Sequence, residues 1–230
     1  MDKKIRFEQF TSDEWISKIE SCDKVDGLLD IWETEAKKRG ERFLRDGSLS
    51  NDLLESHDIL FVCRESNDSK CEDSNNFWMK RVVQGNGSGK KYIGTCPKET
   101  KAATKYYNCM KALIVSMEKV SEDRATEILE RSAYININKS GGGDQADFQK
   151  LVEYALMYRP FIQKEIKLLK PEKIIILGKL YKKPLIELFE QIGQETQIEI
   201  FQYNRHPCVW SKKETKRFSC DIKREGRSLK

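Results

Sequence analysis

Short apolar runs that alternate with long amphipathic segments constrain the fold of this chain more than any other feature. Residues 171–178, Pro-Glu-Lys-Ile-Ile-Ile-Leu-Gly, are typical of a buried parallel strand that ends in glycine before a helix. Runs at 58–63, 133–138 and 197–203 predict three further strands. Helical segments between strands favour a parallel sheet covered on both faces. We therefore expect an α/β protein, a three-layer α/β/α sandwich with a central, mostly parallel four-stranded sheet.

The segments between these strands predict the helices. A helix is expected from residue 14 after a cap at 11–13, and a second at 25–38. Residues 98–119 have helical periodicity, and a long helix is predicted from 144 to 169 with a kink at Pro160. We expect one domain over residues 1–230, in which residues 1–55 form a helical N-terminal extension packed on it.

Composition and charge limit the possible functions. No apolar run is long enough for a membrane span, so we expect a cytoplasmic protein without a membrane partner, most simply a monomer. The seven cysteines are scattered and there are only two histidines, which predicts neither a metal site nor a cofactor. Positive charge is concentrated in residues 80–105 and in the last twenty residues. This segregation favours a polyanionic partner, although two solvated basic segments would look the same.

Polar residues follow three of the four predicted strands, at the edge of the sheet where such proteins bind their ligands. Glu65 could hold or activate a water, and Asn136 or Asn138 could read a pyrimidine edge through its paired donor and acceptor. His206, which Pro207 follows, could support negative charge on a leaving group. Taken singly, an asparagine at a strand end is more often a turn former, and a lone histidine is more often structural.

In their order along the chain, these residues resemble the motifs of the uracil-DNA glycosylase superfamily. The resemblance covers residues 58–210: residues 61–67 are similar to its first motif, 134–139 to its base-reading strand, and 206–208 to its His-Pro-Ser motif. Residues 170–178 resemble its strand-four region. Cys63 and Ser66 stand where the first motif has Gly and Pro, and Cys208 stands where the last has Ser. The resemblance implies a DNA glycosylase, in which Glu65 is the catalytic carboxylate and His206 stabilises the leaving base.

The same resemblance implies a base-binding pocket. Asn67 falls beside the C5 edge of the base, and Phe77 falls where the family has a stacking aromatic. Asn136 is the first choice for the base-reading asparagine because Lys139 follows it by three, and Asn138 is the alternative. Trp210 is either a wedge that fills the gap in the DNA or a core aromatic. The expected phosphate contacts are Lys212, Lys213, Lys216 and Arg217.

The identity of the base is predicted from the residue at the C5 side. Asn67 is smaller and more polar than the bulky side chain that excludes thymine in ordinary uracil enzymes, and Gly141–Gly143 leave further room. This favours a 5-modified cytosine of phage DNA, such as glucosylated 5-hydroxymethylcytosine, and a role in antiviral defence. The alternatives are a uracil-DNA glycosylase of base-excision repair, a non-catalytic nucleic-acid-binding module on the same fold, and a small-molecule enzyme that cradles phosphate on residues 141–143.

Overall fold

The fold is described by a computed structural model. It describes residues 10, 12–50, 54–65, 79–80, 82–83, 97–140, 147–180, 182–204 and 207. The helices within these ranges are α1 Asp13–Glu20, α2 Val25–Lys38, α3 Pro97–Glu118, α4 Glu122–Glu130, α5 Phe148–Met157, α6 Arg159–Leu169 and α7 Lys183–Thr196. The strands are β1 Gly47–Ser48, β2 His57–Glu65, β3 Ala133–Asn138, β4 Pro171–Leu177 and β5 Glu199–Tyr203.

The strands form one mixed sheet in the order β1-β3-β2-β4-β5. Strands β3, β2, β4 and β5 run parallel to one another, and β1 pairs antiparallel with β3 at one edge of the sheet. The predicted α/β class is confirmed. The predicted count of four strands is corrected to five in the described part of the chain, because the two-residue strand β1 has too little sequence pattern to be recognised without its partner.

Alternation along the strands divides the apolar core between the two faces of the sheet. Leu60, Val62 and Ile135 pack in one hydrophobic cluster with side chains of α1, α2, α5, α6 and α7. Phe61 and Tyr134, each one residue away, pack in a second cluster with α3 and α4. Because successive strand residues point to opposite faces, the two clusters lie on opposite sides of the sheet. Both faces are therefore covered by helices, as expected for a mainly parallel sheet.

The predicted long helix from 144 to 169 is wrong as a single element. The structure has two helices there, α5 and α6, separated at Tyr158, whose φ of −100° and ψ of 17° leave the helical range. Pro160 lies in the first turn of α6, where its missing N–H breaks no hydrogen bond. Asp147 caps α5 by accepting hydrogen bonds from Gln149 N and Lys150 N. Asp144, the predicted cap, lies outside the described residues.

The N-terminal helices pack on the same face of the sheet as α6. In α2, Leu28, Leu29, Trp32 and Ala36 form one buried stripe at helical spacing, and they belong to the cluster that contains Leu60. Ser12 caps α1 by accepting a hydrogen bond from Trp15 N, as its position before the helix predicts. Helix α4 has no counterpart among the predictions.

The two-sided core predicts how two leucine variants will differ in stability. Leu60 on the central strand is fully buried, whereas Leu156 on α5 is 38% exposed. Leu60→Ala should lower the free energy of unfolding by about 3 kcal/mol, because it leaves a cavity that the sheet cannot fill. Leu156→Ala should lower it by less than about 1 kcal/mol. Urea unfolding of both variants measures the difference, and equal losses would contradict this account of the core.

Candidate functional site

The strand order gives the sheet a topological switch point between β2 and β4. From β2 the chain continues to β3 on one side, and from β4 it continues to β5 on the other side. Ligands of open α/β sheets bind at such a switch point, outside the carboxyl ends of the strands. Glu65 is the last residue of β2, and Gly178 directly follows β4. Gly178 has a φ of 104°, which a residue with a side chain rarely adopts.

Parallel pairing brings the predicted carboxylate and asparagines together along the main chain. In the register of β2 and β3, Glu65 lies opposite Asn138 and Cys63 lies opposite Asn136. Asn136 and Asn138 are two residues apart on one strand and therefore share a face of the sheet. Sequence reasoning thus assigned these three residues to one edge, and their main chains do lie there.

Asn136 is buried and its side-chain amide is held from two sides. Its Nδ2 donates to Asp46 Oδ2 at 3.4 Å, and its Oδ1 accepts from the Tyr134 hydroxyl at 3.4 Å. Its main-chain N–H also donates to Asp46 Oδ2, at 2.6 Å. One carboxylate therefore contacts Asn136 through both the main chain and the side chain.

Asn138 lies closer to the carboxyl end of β3 and turns the chain there. Its Oδ1 accepts hydrogen bonds from Ser140 N at 2.9 Å and from Ser140 Oγ at 2.6 Å. This is the local side-chain-to-backbone bonding that asparagine commonly supplies where a strand ends. The turn-forming role that an asparagine at a strand end usually has is therefore present at Asn138.

Behind Asn136 lies a buried charged cluster formed by Asp46, Lys139 and Glu165. The Lys139 ammonium, with no exposed surface, pairs with Asp46 Oδ1, and it donates to Glu165 Oε1 at 3.2 Å. The ammonium also lies 5.1 Å from the centre of the Trp32 ring, within the range of a cation–π contact. A buried charge persists only when partners replace its lost hydration, and Lys139 has three such partners.

Within this cluster, the Glu165 carboxyl group binds its proton more tightly than a glutamate in water. Burial raises the pKa of Glu165 to about 8; Lys139 opposes this shift and the nearby Asp46 carboxylate adds to it. The pKa of Lys139 is raised despite its burial, because Asp46 and Glu165 stabilise the ammonium.

Arg64 directly precedes Glu65 at the carboxyl end of β2. Successive strand residues alternate between faces, so Arg64 lies on the face of the sheet opposite to Cys63. Its guanidinium lies 5.1 Å from the centre of the Phe148 ring, at the start of α5. Its Nε is buried and has no hydrogen-bond partner. Within the described ranges no carboxylate pairs with Arg64.

His57, one of the two histidines, has a structural role at the amino end of the sheet, away from the carboxyl ends of the strands. His57 begins β2 at the amino end of the sheet, where its Nδ1 donates to the Leu169 carbonyl at 2.6 Å. Burial lowers the pKa of His57, so the neutral ring is favoured.

Most of the other predicted site residues lie outside the described residues. For Glu65 only the main chain is described. The remaining predicted positions outside the described ranges are Asn67, Phe77, Gly141–Gly143, His206, Trp210, Lys212, Lys213, Lys216 and Arg217.

Sequence reasoning missed Asp46 and Glu165. Glu165 carries a recognisable signal, because it interrupts the apolar stripe of α6 formed by Phe161, Ile162, Ile166 and Leu169. An acidic residue within such a stripe indicates a buried carboxyl group with a partner. Asp46 has no such signal, since it lies in a short irregular segment and its partners are about 90 positions away.

No family model, curated protein or solved structure matches this chain. Among the residues that the structure describes, no helix is long and apolar enough to cross a membrane. Nor does this part of the chain bring three His, Cys, Asp or Glu side chains together as metal ligands.

The raised pKa of Glu165 predicts the sign of a pH effect on stability. The folded protein keeps this proton up to about pH 8, whereas the unfolded chain loses it near the usual value of 4.5. Between these limits Glu165 makes stability fall as pH rises, by at most about 1.4 kcal/mol per pH unit. Glu165→Gln should therefore gain stability relative to the wild type across this window and keep a constant difference above it.

Urea unfolding of both proteins at pH values from below 4.5 to above 8 measures this difference. Glu127→Gln is the control, because Glu127 is exposed on α4 and pairs there with the exposed Arg124. A difference between Glu165→Gln and the wild type that does not change with pH would show that Glu165 is ionised in the folded protein.

Proposed function

We propose that the protein is a DNA glycosylase, which flips a pyrimidine out of DNA and hydrolyses its N-glycosidic bond to leave an abasic site. The observation that carries the proposal is the position of Glu65 at the carboxyl end of the central strand, opposite Asn138 and two residues beyond Cys63, the partner of Asn136. The main chains of the proposed catalytic residue and of the proposed base-reading asparagine are thus neighbours at the switch point where α/β sheets bind ligands. A three-layer sandwich of the uracil-DNA glycosylase type is part of this proposal.

The chemistry needs one carboxylate and one group that stabilises the leaving base. As the bond from C1′ to the base nitrogen breaks, its electron pair leaves with the base and the sugar gains oxocarbenium character. Glu65 stabilises that cation and takes the proton of the water whose oxygen bonds to C1′. His206 donates a hydrogen bond to the departing base. His57 lies at the amino end of the sheet, so His206 is the histidine that remains for this role.

Base recognition is assigned to the asparagines of β3 and to the loop after β2. Asn136 reads the hydrogen-bonding edge, Asn67 lines the C5 side and Phe77 stacks on the flipped base. A polar, open C5 side suits a 5-modified cytosine, such as the glucosylated 5-hydroxymethylcytosine of phage DNA. Uracil is the second candidate, because a small Asn67 relaxes discrimination at C5 without excluding the unsubstituted base.

DNA contacts extend from the edge of the sheet into the basic C-terminal segment. Trp210 fills the gap left by the flipped base, and the lysines and arginine at 212–217 bind phosphates. Arg64 joins this set, because it directly precedes Glu65 at the carboxyl end of β2.

The first test of the function uses Glu65→Gln. This variant should lose base release and bind DNA as tightly as the wild type or more tightly, because one negative charge near phosphate is removed. Oligonucleotides that carry a single uracil, thymine, 5-hydroxymethylcytosine or glucosylated 5-hydroxymethylcytosine are incubated with protein and then treated with alkali to reveal abasic sites.

Glu199→Gln is the matched control, since Glu199 is an exposed glutamate at the amino end of β5. It should cut as the wild type does. Near-full activity of Glu65→Gln would remove Glu65 from the mechanism. Strong DNA binding by a wild-type protein that cuts none of the substrates would favour a non-catalytic binding module.

A second test concerns Arg64 and the salt dependence of DNA binding. Removing one phosphate contact should make the slope of log affinity against log salt shallower by about 0.7–0.9. Arg64→Gln should therefore weaken binding at low salt and flatten its salt dependence by this amount. Fluorescence anisotropy over a salt series measures the slope.

Arg124→Gln serves as the control, because Arg124 is exposed on α4 and pairs with Glu127. It should leave the slope as in the wild type. An unchanged slope for Arg64→Gln would place Arg64 outside the DNA contact.

A further inference from the structure

We propose that Asp46 is a positioning residue that holds the side-chain amide of Asn136 in one orientation and so decides which type of pyrimidine edge the site accepts. The effect of Asp46 on base choice rests on the proposed function. The geometry of the amide itself belongs to the folded protein and is testable without any substrate.

The hydrogen bonds of the Asn136 amide define one orientation. An amide group offers two N–H donors on nitrogen and two lone pairs on oxygen. Asp46 accepts one donor, and the Tyr134 hydroxyl uses one lone pair. Rotating the amide by half a turn would set Nδ2 against the Tyr134 hydroxyl and Oδ1 against the Asp46 carboxylate. The second of these contacts is repulsive, so the observed orientation is strongly preferred.

The groups that remain on the amide match what a pyrimidine requires. One N–H and one lone pair are left after the contacts with Asp46 and Tyr134 are counted. Uracil presents a donor at N3 and an acceptor at O4, whereas cytosine presents an acceptor at N3 and a donor at N4. The two bases therefore need the amide in opposite orientations. Fixing the orientation selects one type of edge and rejects the other.

Asp46 can hold this orientation because it is itself held firmly. Its segment is bound to β3 at both ends, by Leu44 N donating to the Lys139 carbonyl at 2.7 Å and Leu49 N donating to the Ser132 carbonyl at 2.9 Å. Its other carboxylate oxygen pairs with the buried Lys139 ammonium, which also contacts Glu165. Asp46 thus cannot turn away from Asn136 without leaving a buried cation short of a partner.

Asp46→Asn is the decisive variant, because asparagine has nearly the same shape as aspartate but replaces one of the two accepting oxygens with an NH₂ group. The carboxylate receives three donors, namely Asn136 N, Asn136 Nδ2 and Lys139 Nζ. An amide at position 46 has one oxygen, so at least one of these donors would meet an NH₂ group. An NH₂ group against the buried Lys139 ammonium, which pairs with the other carboxylate oxygen, is the costlier contact. The single oxygen should therefore stay with Lys139, and the Asn136 amide should lose its single orientation. Asp58→Asn is the matched control, since Asp58 pairs with Arg131 at the amino end of β2.

The first measurement is the NMR signal of the Asn136 side-chain NH₂ group, assigned by its loss in Asn136→Ala. In the wild type and in Asp58→Asn its two protons should be well separated and protected from solvent exchange. In Asp46→Asn the separation should shrink and exchange should quicken. If this variant does not fold, as judged by circular dichroism, Tyr134→Phe replaces it and removes the hydroxyl that donates to Asn136 Oδ1. An amide signal that neither variant changes would overturn the inference.

The second measurement is the ratio of excision rates for cytosine-type and uracil-type bases with the same 5-substituent. The wild type should favour one type by about tenfold or more, as expected for a paired donor and acceptor. Asp46→Asn should bring the ratio close to one, whereas a purely structural loss would slow both reactions alike and leave the ratio unchanged. An unchanged ratio would overturn the role in base choice. If the wild type cut neither base, the proposed function would fail while the NMR result still decided the positioning role.

Discussion

The ion pair between Lys139 and Asp46 is the contact on which the geometry of the candidate site depends. Lys139 follows β3, Asp46 precedes β1, and Glu165 reaches the pair from α6, so three separate parts of the chain meet at one buried ammonium. Removing either partner of such a pair leaves an uncompensated buried charge, which costs several kcal/mol. The N-terminal segment, the end of β3 and helix α6 are therefore held in one arrangement. Asn136 lies within that arrangement because its main chain and amide both bind Asp46.

In β3, residues at alternate positions have different roles: one set packs in a hydrophobic core and the other set includes the two asparagines. In β3, Ile135 and Ile137 pack into the core that contains α2 and α6, whereas Tyr134, Asn136 and Asn138 lie on the opposite face. The apolar residues anchor the strand, and polar residues at alternate positions are thereby brought to its carboxyl end in a fixed register. A shift of the register by one residue would bury the asparagines in the wrong core and lose the contact with Asp46. Packing and the contact with Asp46 thus constrain the same register.

Local pattern was enough to predict α2 and β3 with the bounds they have in the structure, because each carries a regular apolar periodicity over its whole length. The break between α5 and α6 was harder to predict, since a proline in the first turn of a new helix and a proline at a kink within one helix look alike in sequence. The interaction between Asp46 and Asn136 could not be predicted at all. It depends on the antiparallel pairing of a two-residue strand with a partner far along the chain, and neither segment specifies that pairing alone.

The protonation state of Glu165 also affects the chemistry proposed for this edge. A departing base carries negative charge, and it leaves less readily when a net negative charge lies behind the strand that reads it. With Glu165 ionised, the cluster would hold two carboxylates against one ammonium. Burial raises the pKa of Glu165 to about 8, which favours its uncharged form near neutral pH. In the proposed reaction, the burial that makes Glu165 costly for stability at high pH thus keeps a second negative charge away from β3, where it would oppose base release.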